Sequence, residues 1–506
     1  MFTKRVKVGL FRVVCALVLA CSSLTFADDE KPEEKNRFAD YMIWPFENII
    51  QPLLNGLIYP IAKPIDYIFS NGVVEKSVDL ITFGVDRNIL IYPTFNFKPG
   101  ASTSIGANFR QRRFFFDKDY AVFQMNYYAN GDFDLSARYT KHAIFGTPLF
   151  GGLKYDLHFN RDNTFVLPET KTKFAQPDST KRITARLGVP LNRTGTMNLE
   201  LQATLRFNDA SLPDLNDSIL VDDIYPIADR GLYQKGIQVP VEFSFLYDDL
   251  DYPYAPSKGT RFGLKAIYAF VDDYKDLDEK YATEPSTKNH DYLRTELLFQ
   301  HYFFLGSSKQ YILSVKEARQ NRKFYTDFSW DEAMRIWKPE NVINTLFERR
   351  VIATQFLLVD IWEMERGGAP FNAFVSLSSR TPLRGYGNSW TTHHLMSFSC
   401  EYRWPVDRFV DGVLFDEYAV IAPTFGSWFT KGRLYNSWGF GVRVRQPNLY
   451  LFRVQLGFHG LHGVNLVITI APEFKERFTG EAPPGCLDLP GSLQAGLCGT
   501  TCRPWG

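Results

Sequence analysis

Residues 197–207 read Met-Asn-Leu-Glu-Leu-Gln-Ala-Thr-Leu-Arg-Phe. Every second side chain from Met197 to Phe207 is apolar, and those between them, from Asn198 to Arg206, are polar. Successive side chains of a β-strand point to opposite faces, so the pattern predicts a strand with lipid on one side and water on the other. The same period recurs from Ile89 to Ile470, without an apolar run long enough for a membrane helix. We therefore predict an all-β fold, an antiparallel transmembrane β-barrel.

Composition and charge argue against other classes of protein. Lys and Arg number 57 against 56 Asp and Glu, so the net charge is +1 and gives no basic field for nucleic acid. Aromatic residues form 16% of the chain, which suits the aromatic girdles of membrane barrels. The eight histidines show no metal-ligand spacing, and adjacent His393 and His394 would point to opposite faces of a strand. We expect no enzyme, no cofactor, no metal and no nucleic-acid partner.

Residues 1–27 have the layout of a secretory signal peptide. An apolar run, Val13 to Ala20, follows the basic residues Lys4, Arg5, Lys7 and Arg12. Small residues predict cleavage after Ala27, and a lipoprotein-like sequence leaves acylation of Cys21 as the alternative. Export and the barrel pattern together predict the outer membrane of a Gram-negative-type bacterium, with outer-membrane lipid around the barrel.

Two short segments flank the predicted barrel, which covers residues 85–474. Residues 28–84 read as short amphipathic helices broken at Pro52, Pro60 and Pro64. They could plug the lumen, lie along the inner leaflet or bind a partner, and their aromatic residues favour an interfacial or lumen-adjacent place. The tail, 475–506, carries three cysteines, which favour one disulfide over metal binding. They are Cys486, Cys498 and Cys502, and we assign them no function.

Alternation predicts 16 strands, an even number, as single-chain bacterial barrels generally have. The strands lie near residues 89–98, 102–113, 119–129, 131–141, 150–160, 180–190, 196–208, 236–248, 259–270, 290–304, 310–319, 394–404, 416–428, 437–446, 449–458 and 463–474. If both termini are periplasmic, connections after odd-numbered strands face outward. The longest of these predicted outer connections is 320–393. The polar faces predict a lumen wall of mutually paired charges.

The longest outer connection contains Leu383-Arg384-Gly385-Tyr386. It resembles the (V/L)RG(F/Y) motif of the BamA/TamA-type superfamily, also called the bacterial surface antigen family, whose 16-stranded barrels carry it on the outer loop before strand 12. The resemblance implies a loop folded into the lumen, with Arg384 against carboxylates of strands 12 and 13. Parity independently turns Glu401 inward, and a bidentate pair with Glu401 would offset desolvation of the guanidinium.

The rest of the motif implies further contacts. Gly385 lets the backbone pass close to the wall, and Tyr386 packs beside it. The second carboxylate of the family has no clear match, because Ser427 stands near its place. A second stretch resembles the family's inner turn before strand 9. Its residues are Asp248, Asp251, Pro253, Pro256, Lys258, Gly259 and Thr260.

The resemblance also implies what the chain does. Family members place periplasmic POTRA modules before the barrel to receive an unfolded client, and residues 28–84 are too short for one. One hypothesis is outer-membrane protein assembly or protein translocation, in which a client strand pairs at a weakly closed seam. Pro93 in strand 1 favours an imperfect seam, because it cannot donate a ladder hydrogen bond. The alternative is a passive diffusion channel or a structural barrel acting with a partner complex. Expected partners are client outer-membrane proteins or a periplasmic protein.

Overall fold

A computed structural model shows the arrangement of the chain. It describes residues 51–70, 82–84, 88–96, 104–116, 119–129, 131–166, 173–192, 196–210, 233–250, 256–276, 289–305, 350–365, 369–370, 373–377, 383–386, 390–407, 410–422, 425–428, 430, 432–446, 449–459 and 463–469. The predicted signal peptide, the acidic start of 28–84 and the cysteine tail lie outside these residues.

Sixteen long strands, β1 to β16, each pair antiparallel with the next. This confirms the predicted 16-stranded antiparallel barrel. The strands are β1 Ile89–Asn96, β2 Ser104–Arg112, β3 Asp119–Tyr128, β4 Phe133–His142, β5 Phe150–Val166, β6 Lys173–Pro190, β7 Met197–Ala210, β8 Tyr233–Asp248, β9 Gly259–Asp276, β10 Tyr292–Phe304, β11 Val351–Glu363, β12 His394–Asp407, β13 Val410–Ala422, β14 Arg433–Gln446, β15 Leu449–Phe458 and β16 Val464–Thr469.

The two faces of the wall differ as the alternation predicts. On β7, Leu201 is half exposed, whereas Thr204 and Asn208 on the other face are buried. The buried face carries cross-strand charge pairs, such as Lys265 Nζ with Glu242 Oε1 at 2.9 Å. The apolar, exposed face is therefore the lipid side, and the polar face lines the lumen.

Strand β11 lies where the sequence predicts an outer connection. The predicted strand at 310–319 falls outside the described residues, and the eleventh strand is Val351–Glu363. Both of its faces are apolar, because one meets lipid and the other packs against a loop inside the lumen. The period of two is consequently hidden. The connection from β11 to β12 is 364–393, and we call the barrel end where it starts the outer end.

Strand β13 begins six residues earlier than predicted, at Val410 instead of residue 416. Asp411 and Gly412 read as a turn, but Gly412 lies opposite Trp404 of β12, where a Cβ would stand 2.3 Å from the indole ring. The predicted end of the strand is a turn instead, with Gly426 at a φ of +84°. The corrected bounds put Glu417 near the middle of the strand and leave Ser427 outside it.

The described parts of the connection 364–393, here called the lumen loop, lie inside the barrel. It contains a short hairpin, Val375–Leu377 with Trp390–Thr392. Four of its apolar side chains form one buried cluster with the lumen face of the wall. The loop side of this cluster is Ala369, Ala373, Val375 and Leu383, and the wall side includes Leu298, Leu357, Val359, Ile361, Leu395, Ala419 and Ile421. Burial of apolar surface thus holds the loop in the lumen.

In the described part of the segment before the barrel, helix α1 spans Gln51–Ser70. It runs on through Pro60 and Pro64, where the sequence predicts breaks, and both prolines lie on its exposed side. After it, Thr82–Phe83 pairs antiparallel with the first two residues of β1, on the edge that faces away from β2. Among the described residues, no helix is long and apolar enough to span a membrane.

Candidate functional site

The tip of the lumen loop, Leu383–Tyr386, lies against the inner wall of the barrel. We call it the loop tip. Arg384 is fully buried there and bonds to two carboxylates. Its Nη1 donates to Glu401 Oε2 at 2.7 Å, and its Nε donates to Glu417 Oε1 at 2.7 Å. The backbone N–H of Arg384 donates to the other oxygen of Glu417, also at 2.7 Å. The guanidinium carbon lies 3.7 Å from the centre of the Phe415 ring.

Glu401 is shared among three arginines. Besides Arg384, its Oε1 accepts from Arg403 Nε at 2.5 Å and from Arg443 Nη1 at 2.8 Å. These residues and Glu417 form what we call the arginine cluster, with three guanidinium groups and two carboxylates, all nearly inaccessible to solvent. Buried charges are tolerated only when each is paired and hydrogen-bonded, so the cluster depends on all its members.

The second carboxylate is Glu417, and the sequence interpretation missed it. The sequence analysis placed Ser427 near the position of this carboxylate. Ser427 lies instead in the turn after β13, where its carbonyl accepts the N–H of Gly432 at 3.0 Å. Phe415 and Glu417 lie on the lumen face of β13, which is the face that Ser427 has by parity in the predicted strand 416–428. The signal was therefore present in the residues, because the predicted strand already contained Glu417, but the sequence interpretation looked for the carboxylate near the other end of that strand.

The backbone of the loop tip is held as closely as the arginine. Gly385 N–H donates to Ser437 Oγ at 2.6 Å, and Nδ1 of His459 donates to the Gly385 carbonyl at 3.0 Å. Asn465 Nδ2 donates to the Arg384 carbonyl at 2.8 Å. Sequence reasoning did not find these three wall residues, because only the register of the folded barrel brings them to the loop.

Two glycines allow this contact between backbones. A Cβ at Gly385 would stand 2.5 Å from the carbonyl of Phe458, and a Cβ at Gly457 would stand 2.6 Å from the amide nitrogen of Gly385. Neither position has room for a side chain. The other loop-tip residues pack sideways: Leu383 joins the apolar cluster of the lumen loop, and the Tyr386 ring centre lies 5.0 Å from that of His459.

The inner turn between β8 and β9 reaches the same cluster from the opposite end of the barrel. Arg403 Nη1 donates to the Pro256 carbonyl at 3.3 Å while its Nε holds Glu401. Asp248 accepts Arg261 Nε at 3.0 Å, which closes the base of the turn. A continuous polar path thus joins the inner turn, Arg403, Glu401 and the loop tip.

The other predicted residues of the inner turn support its shape. Gly259 has a φ of +114°, and a Cβ there would stand 2.0 Å from the Asp249 carbonyl, so only glycine fits. Thr260 Oγ1 bonds to His301 Nδ1 at 2.8 Å, and Lys258 is exposed. The predicted positions Asp251 and Pro253 lie outside the described residues.

The site consists of groups that form hydrogen bonds and ion pairs with one another. Its groups are guanidinium, carboxylate, amide and hydroxyl in mutual hydrogen bonds. In the described part of the chain, no three His, Cys, Asp or Glu side chains lie where they could hold a metal ion. The adjacent His393 and His394 each face a carboxylate, Glu363 at 3.1 Å and Asp360 at 3.0 Å.

The fold and this site together define a class: a 16-stranded transmembrane β-barrel whose lumen holds an ion-paired, inward-folded loop. No protein-family model and no curated protein matches the chain. Among solved structures, BamA from Haemophilus ducreyi lacking POTRA domains 1–3 is similar, with a TM-score of 0.49 and 12% identity over 75% of this chain and 68% of that one.

Two further solved structures are similar to this chain. CdiB from Escherichia coli has a TM-score of 0.44 and 9% identity over 75% of this chain and 61% of its own. CdiB from Acinetobacter baumannii has a TM-score of 0.41 and 8% identity over 76% of this chain and 56% of its own. The matched part of this chain thus spans less than two thirds of each CdiB chain.

Proposed function

We propose that this chain is an outer-membrane barrel that assembles or translocates other proteins, and that the loop tip locks the lumen loop in place. The proposal is supported by the hydrogen bonds that one loop tip makes with strands from β12 to β16. Glu401 lies on β12, Glu417 on β13, Ser437 on β14 and Asn465 on β16. The lock therefore ends on β16, the last strand, which in this proposal borders β1 at the seam of the barrel.

β16 pairs with β15 from Phe458–Val464 to Arg453–Thr469. On the other side of the seam, β1 contains Pro93, which has no N–H to donate to a ladder. A strand edge that is incompletely paired accepts a further strand by β-augmentation, so a client strand would add at this seam.

The lock and the seam are mechanically coupled in this proposal. Displacement of β16 when the seam opens would carry Asn465 away from the loop tip and break its 2.8 Å hydrogen bond to the Arg384 carbonyl. A client that opens the seam would therefore loosen the lumen loop as well. This role requires no catalysis and no cofactor. The proposed partners are client outer-membrane proteins and a periplasmic protein that delivers them.

Depletion of the protein in its own cells tests this function. If it assembles outer-membrane proteins, quantitative proteomics of the outer-membrane fraction will show a general loss of β-barrel proteins. Loss of one surface component alone would assign dedicated export. An unchanged outer membrane, with slower uptake of small solutes, would contradict the proposal and support the passive channel. Re-expression of the wild-type chain is the control for each result.

A further inference from the structure

Helix α1 carries large apolar side chains on its exposed face as well as on the face that packs against the barrel. Asn55 is only 1% exposed, whereas Leu57 is 69% exposed. The buried positions follow helical spacing and are Gln51, Asn55, Ile58 and Ala62. The exposed apolar positions also share one face and are Leu53, Leu57 and Ile61. A helix on a protein surface in water normally turns its apolar side chains toward the protein. The exposed apolar face of α1 therefore needs an apolar neighbour.

The surface under α1 is the lipid-facing side of the wall. Val442 and Val444 of β14 pack in one cluster with Ile58 and Ala62. Arg443, between these two valines, points the other way and bonds Glu401 in the lumen. Since adjacent strand residues face opposite sides, α1 lies outside the barrel. Its contacts with Val410, the first residue of β13, place it at the inner end.

A specific contact fixes the helix there. Trp404 is fully buried although it lies on the lipid-facing side of β12, and its Nε1–H donates to Asn55 Oδ1 at 2.7 Å. Gly412, the cross-strand neighbour of Trp404, leaves the space that the indole fills. A buried indole N–H requires a partner, and a helix carrying an amide supplies it.

Residues of the exposed face also indicate how deep the helix lies in the membrane. Pro60 and Pro64 have no N–H, so the carbonyls of Gly56 and Pro60 have no N–H four residues ahead to accept. Unpaired carbonyls are unfavourable deep in hydrocarbon but find water and headgroup donors at its border. Lys63 Nζ, 5.1 Å from the Tyr59 ring centre, adds the cation and aromatic ring that such a border favours.

We propose that the exposed face of α1 binds phospholipid acyl chains at the border between headgroups and hydrocarbon of the inner leaflet. The helix thereby fastens the N-terminal segment to the outside of β12 to β14. The lipid that surrounds the outer face of the barrel wall also covers the exposed face of α1. The inference rests on the barrel lying in a membrane and does not depend on its role in assembly.

Depth-dependent quenching tests the proposal. The native cysteines are replaced, one cysteine is introduced by Leu57→Cys, and it is labelled with the fluorophore NBD in the full-length protein. The protein is reconstituted in phosphatidylcholine vesicles containing lipid with a doxyl quencher at acyl carbon 5 or 12. Leu201→Cys, on the lipid face of β7, is the positive control, and Thr147→Cys, in an exposed turn, is the aqueous control.

We expect the label at position 57 to be quenched at least twofold more by the 5-doxyl than by the 12-doxyl lipid, and to be shielded from aqueous iodide. Quenching at 57 that matches position 147, by iodide and not by lipid, would overturn the proposal while position 201 still reports lipid. If position 201 is not quenched by lipid either, the membrane barrel itself is contradicted. Stronger quenching at 57 by the 12-doxyl lipid would contradict the proposed depth.

Discussion

Gly385 of the lumen loop lies directly against Gly457 of β15, so that two backbones meet without a side chain between them. The contact lets Ser437 and His459 bond the N–H and the carbonyl of Gly385. It also keeps Arg384 within reach of both carboxylates. The position of the loop tip is therefore set by backbone contact, and the charges of the arginine cluster depend on it.

The first prediction concerns this contact. Gly457→Ala puts a Cβ 2.6 Å from the loop backbone, which must shift, and we expect a loss of about 1–3 kcal/mol in stability. The change is measured as the temperature at which the folded barrel loses its compact mobility on a detergent gel. Gly56→Ala is the control, because no atom lies within 4 Å of its new Cβ. Equal transition temperatures for the two variants would contradict the close contact.

The second prediction concerns the shared carboxylate. Glu401→Gln removes the charge that faces three buried guanidinium groups, and we expect a loss of about 3–5 kcal/mol, as for other broken buried ion pairs. Denaturant unfolding followed by tryptophan fluorescence measures it. Lys154→Met is the matched control, since the Lys154 pair with Asp156 is part-exposed and should contribute at most about 1 kcal/mol. A similar loss in both variants would contradict a special role for the cluster.

The third prediction concerns the coupling to the last strand. Asn465→Ala removes the bond to the Arg384 carbonyl, and its effect should not add to that of Arg384→Ala. A double-mutant cycle on unfolding free energy should give a coupling of about 0.5–3 kcal/mol. Val464→Ala, at an exposed neighbouring position, should give none with Arg384→Ala. Additive effects for Asn465 would show that β16 is independent of the lock.

The fourth prediction separates charge from geometry at Arg384. A lysine keeps the charge, but its single ammonium lacks the planar fork that reaches Glu401 and Glu417 in two directions. We therefore expect Arg384→Lys to unfold at nearly the same denaturant concentration as Arg384→Ala. A lysine variant as stable as the wild type would show that the charge alone is sufficient.

The sequence predicts those parts of the fold in which a strand has lipid on one side and the polar lumen on the other. On β7 this contrast is present, and the predicted and observed strands agree closely. On β11 the lumen side packs against the lumen loop and is itself apolar, so the alternation disappears. Strand prediction by period therefore fails where tertiary contact inside the barrel replaces water.

The candidate site shows the same limit. Arg384 and Glu401 are found from a motif and from parity, which are local properties of the sequence. The contacts of Glu417, Ser437 and Asn465 with the loop tip depend on the register of β12 to β16, which only the folded barrel fixes. The placement of α1 outside the wall has a similar origin, since its anchor, Trp404, is distant in the sequence.

If the arginine cluster holds the lumen loop inside the barrel, loss of Arg384 should free the loop and widen the pore. Single-channel conductance of the purified protein in planar bilayers measures this, with Arg384→Ala compared with the wild type and with Lys154→Met. We expect small wild-type conductance, unchanged in Lys154→Met, and severalfold larger or more frequent openings in Arg384→Ala. Identical conductance and open probability in all three proteins would contradict it.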